Sequence, residues 1–248
     1  MMLLLTLVIP SHFNHPNYVN SNDITPMRFF NNKIIKLMTK TFQNYLIYLL
    51  AFTSGFSIMG VELLAGRILA PYFGSSVHVW GSIITVFMLA LSFGYLIGGR
   101  ISVLAPSLKR YGFIFLFAGA TLLPLTYFGI DILEWVFIHI EDSRYGSLIG
   151  SALLFFIPTI ILGMISPYSV RLLVRSEHES GQVAGVLYFV STLGSAMGTL
   201  ATSFYFVLWF EVNQIIISFC LILILLGMTS IMVNQLEGKS NAILEQNS

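Results

Sequence analysis

Glu62 and Arg67 are the only charged residues in the apolar run Tyr45–Leu69, and they are the side chains most able to do chemistry there. A carboxylate placed inside a membrane helix costs roughly 2.5–3.5 kcal/mol on the insertion scale, so it must face protein or water rather than lipid. Facing inward, it suits a cation. Measured from Tyr45, Glu62 lies roughly 25 Å along a helix, in the outer third of a bilayer. Arg67 follows five residues later, roughly 140° around the helix at about 100° per residue, which is poor geometry for an ion pair. Its long stem can instead carry the guanidinium to the nearby boundary. Two readings of Glu62 stay open. It is either a cation site used in binding or coupling, or the structural partner of an arginine on a neighbouring helix.

Other chemistry is sparse. His78 and His139 fall near span ends, His178 in a loop and His12 and His15 near the start, none at ligand spacing from another His or Cys. The single cysteine, Cys220, sits in an apolar run and reads as a small core residue. There is no Gly-x-Ser-x-Gly elbow, no Walker loop and no Gly-x-Gly-x-x-Gly after a strand-like run. No metal or cofactor is expected, and an enzyme active site is the least favoured function. A net charge of +1, without a basic cluster carrying interleaved aromatics, argues against nucleic acid as a partner.

The elements that must position Glu62 follow from composition. Apolar residues are 56% of the chain and charged residues 9%, against about 25% charged in soluble domains. One core cannot hide that much apolar surface at 248 residues, so lipid is the expected partner. Runs long enough to cross hydrocarbon occupy Tyr45–Leu69, His78–Gly99, Gly112–Ile130, Gly146–Tyr168, Ala184–Phe210 and Ile215–Val233. The expected fold is an all-α membrane bundle of about six helices over residues 41–234. A poorly ordered basic tail is expected over 1–40 and a short cytoplasmic tail over 235–248. DILEWVFIHIED, between spans three and four, reads as a segment lying along the interface. Basic residues gather before span one, between spans two and three, between spans four and five, and after span six. The positive-inside rule then predicts an inner-membrane protein with both termini in the cytoplasm. Trp80, Trp135 and Trp209 all fall on the opposite side, as an interfacial belt would place them.

Helices in lipid associate through close backbone approach, which small residues permit. Gly94 and Gly98 follow Ala90 at four-residue steps in span two, and Gly194 and Gly198 share span five with Ser191 and Ser195. These ridges read either as static packing or as surfaces that slide. Span four carries Pro158, Gly163 and Pro167, with Pro158 near mid-membrane. Such interruptions mark either a packing kink or the broken helix of a transport site.

GVELLAGRILAPYFG (Gly60–Gly74), the SSVHVWGSIITVFMLALSFGYLIGGR that follows, PTIILGMISPYSVRL (Pro158–Leu172) and GQVAGVLYFVSTLGSAMGT (Gly181–Thr199) together resemble the membrane half of bacterial fused major-facilitator-like/spermidine synthase proteins. The resemblance touches spans one, two, four and five. It implies a half-major-facilitator-like bundle and a link to polyamines. In that family the membrane half is commonly followed by an aminopropyltransferase-like domain with a Gly-rich loop. Here NQLEGKSNAILEQNS follows span six, where such a domain would begin, and no aminopropyltransferase activity is expected of this chain. The Gly-x-x-x-Asp-Arg latch of major facilitators is also incomplete, because Gly99 and Arg100 are followed by Ser102 with no Asp. Three functions compete. The first is transport of polyamines or related amines, with a homodimer supplying two halves. The second is a membrane anchor or regulatory subunit for a separately encoded aminopropyltransferase. The third is a remnant of a truncated fused gene.

Overall fold

Apolar runs of this length can sit in hydrocarbon only if each backbone N–H and C=O is paired within the segment, which a helix achieves. The computed structural model describes residues 24–104, 106–174 and 176–246, and these are helical with no strand. Helix α1 covers Ile24–Phe73, α2 Val77–Val103, α3 Leu108–His139 and α4 Ser143–Leu173. Helix α5 (Ser180–Ala201) passes through a π-helical turn (Thr202–Phe206) into the short α6 (Val207–Trp209), and α7 covers Val212–Gln246.

The chain divides into two units, Met1–Thr39 and Lys40–Ser248. Of the first, the backbone is helical from Ile24, and the part of the expected tail before it lies outside the described residues. The second contains six helices long and apolar enough to cross a membrane: Lys40–Phe73, Val77–Val103, Leu108–His139, Ser143–Leu173, Ser180–Trp209 and Val212–Gly238. This is an all-α bundle of six helices, and the protein is a multi-pass membrane protein.

One feature differs from the sequence reading. DILEWVFIHIED is not a separate interfacial segment. Its first nine residues continue α3 without a break to His139, because nothing after Gly129 disfavours helix until Ile140 turns extended. Asp142 then caps α4, its carboxylate accepting from the Arg144 backbone N–H at 2.9 Å. That bond, helped by the Arg144 guanidinium at 3.3 Å, holds the Asp142 carboxyl below the usual carboxylate range. The cap therefore stabilises at neutral pH and fades as pH falls through the lowered value. Helix α4 stays helical across Pro158, Gly163 and Pro167, which is compatible with a packing kink there. Each proline removes one donor, and the remaining ladder carries the helix through.

Glycines set the pairing of the helices. Helices α1 and α5 run parallel, with Gly194 against the backbone of Phe52 and Gly198 against that of Phe56. Helices α2 and α4 also run parallel. A Cβ on Gly94 would meet Gly163 Cα at 2.9 Å, and one on Gly98 would meet Met164 Cα at 2.6 Å. Helices α3 and α7 are antiparallel and meet through Gly112 and Gly227, each placed where a Cβ would strike the other's carbonyl oxygen at 2.6–2.7 Å. Helix α4 lies at the centre, burying Leu154, Phe155, Leu162 and Tyr168, while α5 is the most open to the surroundings. At the end of the bundle bearing Arg100, Tyr111 stacks on Tyr168 at 5.6 Å and hydrogen-bonds Ser169 at 2.5 Å, pinning α3 to α4. The three tryptophans belong to the opposite end.

A candidate binding cavity beside Glu62

A cavity of about 490 Å³ lies between α1, α2, α4 and α5, within the size range of small-molecule sites. Close glycine contacts bring α1 to α5 and α2 to α4, and the cavity opens where these two pairs face each other. Its polar wall is made of hydroxyls. Ser54 comes from α1, Ser166 from α4, and Ser191, Thr192 and Ser195 from α5. Tyr95 of α2 and Tyr188 of α5 also line it. Each tyrosine sits eight residues inside its helix, roughly 12 Å from the Arg100 end. No charged side chain lines the cavity.

Glu62 lies one turn beyond it. Ile58 and Met59 line the cavity, and Glu62 follows them at i+4 and i+3, on the same face of α1 and nearer the tryptophan-bearing end. It is half-buried and makes no hydrogen bond or ion pair among the described residues. Arg67 does not approach it. Its guanidinium donates to the Val207 carbonyl at 2.8 Å, satisfying an acceptor in the last turn of span five. Such a cation at a helix C-terminus is favourable for the dipole as well.

The other residues singled out in the sequence separate into two groups. Pro167 lines the cavity, and Gly94, Gly98, Gly163, Gly194 and Gly198 hold the two helix pairs that frame it. Pro158 lies elsewhere, in a shallower groove of about 210 Å³ between α3 and α4 that it shares with Thr121 and Pro124. Tyr95 and Tyr188 were not recognised in the sequence. The signal available was their depth, since a belt tyrosine belongs near a helix end. A further set of hydroxyls is buried with no hydrogen-bond partner among the described residues: Ser57 on α1, Ser151 and Thr159 on α4, and Thr202 in the π turn. Buried polar groups are nearly always paired, so these four mark polar surface inside the bundle that helix packing alone does not need.

Fold and cavity together define a polytopic membrane bundle with a hydroxyl-lined site at its core. No family model matches the chain, and no curated protein or solved structure matches it.

Proposed function

We propose that the chain is the cargo-binding half of a transporter for polyamines or related small amines. The observation that carries this reading is the unpaired Glu62 carboxylate one turn from a cavity of hydroxyl and tyrosine groups. An alkylammonium needs acceptors for up to three N–H donors, an aromatic face and a compensating anion. Ser and Thr oxygens, two tyrosines and Glu62 are groups of those kinds. The resemblance to the membrane half of spermidine synthase fusions supports the same cargo class. It also supports a homodimer, in which a second copy supplies the other half. The unpaired hydroxyls Ser151 and Thr159, on the central helix toward the tryptophan-bearing end, support a polar path leading away from the cavity. The anchor reading, with a separate aminopropyltransferase as partner, rests on the resemblance alone and predicts no uptake.

Purified protein in vesicles should take up labelled putrescine or spermidine. Thr192→Trp, which places a large ring in the cavity from the exposed side of α5, should abolish uptake while leaving thermal melting unchanged. Absence of amine uptake by the wild type, or wild-type uptake by Thr192→Trp, would overturn the assignment.

The distribution of Lys and Arg supports an inner-membrane orientation with both termini in the cytoplasm. A reporter active only in the periplasm should be silent when fused after Ser248. An active reporter there would reverse the orientation.

A further inference from the structure

A second groove, of about 320 Å³, lies toward the tryptophan-bearing end of the bundle, where α1, α3 and the α6–α7 junction meet. Arg67 and Glu211 both line it, with Asn213 beside them. Its remaining wall is apolar or amphipathic, including Ile68, Tyr72 and Leu133. The two opposite charges share one groove without pairing with each other, since the only ion pair among the described residues is Arg144–Asp142. Arg67 gives one N–H to Val207, which leaves other donors of its fork available. The Glu211 carboxylate makes no bond among the described residues, where only its backbone is engaged, the N–H donating to Gln214 at 3.2 Å and the carbonyl accepting from Ile215 N–H at 3.1 Å.

The level of this groove in the bundle matters. Arg67 stands six residues before the end of α1, and Glu211 lies in the break between the last two spans, next to Trp209. An arginine near a helix end and a tryptophan beside the inter-span break are residues that membrane helices place at the headgroup level, so the groove is read as lying there. A ligand that answers both charges carries a negative and a positive group together with an apolar tail. We propose that this groove binds a zwitterionic phospholipid with a primary ammonium, its phosphate on Arg67, its ammonium on Glu211 and an acyl chain along Ile68 and Leu133. Charged pockets between membrane helices are established sites for headgroups in general. A lipid with only the negative charge would satisfy Arg67 and leave Glu211 facing a phosphate. The site therefore distinguishes headgroups as well as holding them.

The site is independent of any transported cargo, and its test needs no transport assay. Delipidated protein in detergent is titrated with phosphatidylethanolamine or phosphatidylglycerol, following the melting temperature. The wild type should be stabilised by phosphatidylethanolamine at a concentration about tenfold lower than by phosphatidylglycerol, the effect of one charge-assisted hydrogen bond. Glu211→Gln should erase that preference while still responding to both lipids. Arg67→Gln should weaken the response to both. Should Arg67→Gln fail to fold because Val207 has lost its donor, Glu211→Gln decides alone. Equal responses of the wild type to the two lipids, or an unchanged preference in Glu211→Gln, would overturn the proposal. An equal shift from water-soluble glycerophosphoethanolamine at matched concentration would also overturn it, since it would show a site for the free headgroup.

Discussion

Gly194→Leu is expected to unfold the bundle in detergent or to lower its melting temperature more than any cavity substitution. The Cβ of a side chain at 194 would overlap the carbonyl oxygen of Phe52 and lie 2.9 Å from its carbonyl carbon. Both are backbone atoms of a packed helix, so no rotamer change relieves the clash. Overpacking in a core typically costs about 1–3 kcal/mol. Here the whole of α5 must move from α1, and the cost should lie at or above the top of that range. Membrane helices have little hydrophobic drive to re-associate once separated, which makes the loss hard to recover. The control is on the same helix. Gly185 has nothing within 4 Å of an added Cβ, so Gly185→Leu should melt as the wild type does. Equal melting of the two variants would show that α5 does not pack on α1 through Gly194.

Glu62→Gln should leave the fold intact and reduce amine uptake by tenfold or more, the equivalent of about 1.4 kcal/mol in binding. The substitution keeps size and hydrogen-bonding capacity and removes only the charge. Had Glu62 been the partner of a neighbouring arginine, its loss would strand that cation and destabilise the bundle by about 3–5 kcal/mol. In the structure Arg67 is bonded to Val207, and Glu62 makes no ion pair among the described residues. Melting should therefore hold or rise, because a costly charge has left the membrane. A fall in melting with uptake retained would return Glu62 to a structural role. Wild-type behaviour in both assays would remove it from either.

The number and order of the helices were legible because lipid imposes a length and a composition that few other environments do. The helix ends were less so. Nothing in the letters between Ile130 and His139 distinguishes a helix that continues from one that restarts along the interface, since both want the same alternation of Ile, Val, Trp and charge. Glycine spacing pointed to α2 and α5 as close-packing surfaces, yet it could not name their partners. The pair Gly112 and Gly227 went unnoticed because neither belongs to a four-residue series of small residues in its own span, and only the antiparallel fold makes them one contact. The cavity was the least legible feature. Its hydroxyls come from four helices, so no local run of sequence carries its pattern, and Ser191 and Ser195 looked identical to packing residues.

The π turn at Thr202–Phe206 sets the phase between the two halves of its span. Its Val207 N–H reaches back to the Thr202 carbonyl, five residues away, where an α-helix would reach four. One surplus residue is thereby absorbed within the membrane. Upstream, the phase is fixed by Gly194 and Gly198 against α1; downstream, it is fixed by Val207 beneath Arg67. A uniform α-helix would turn the later contact by about 100° relative to the earlier one and could not satisfy both. The surplus residue thus acts as a vernier, letting a single helix mesh with α1 at two depths whose spacings do not share a common period.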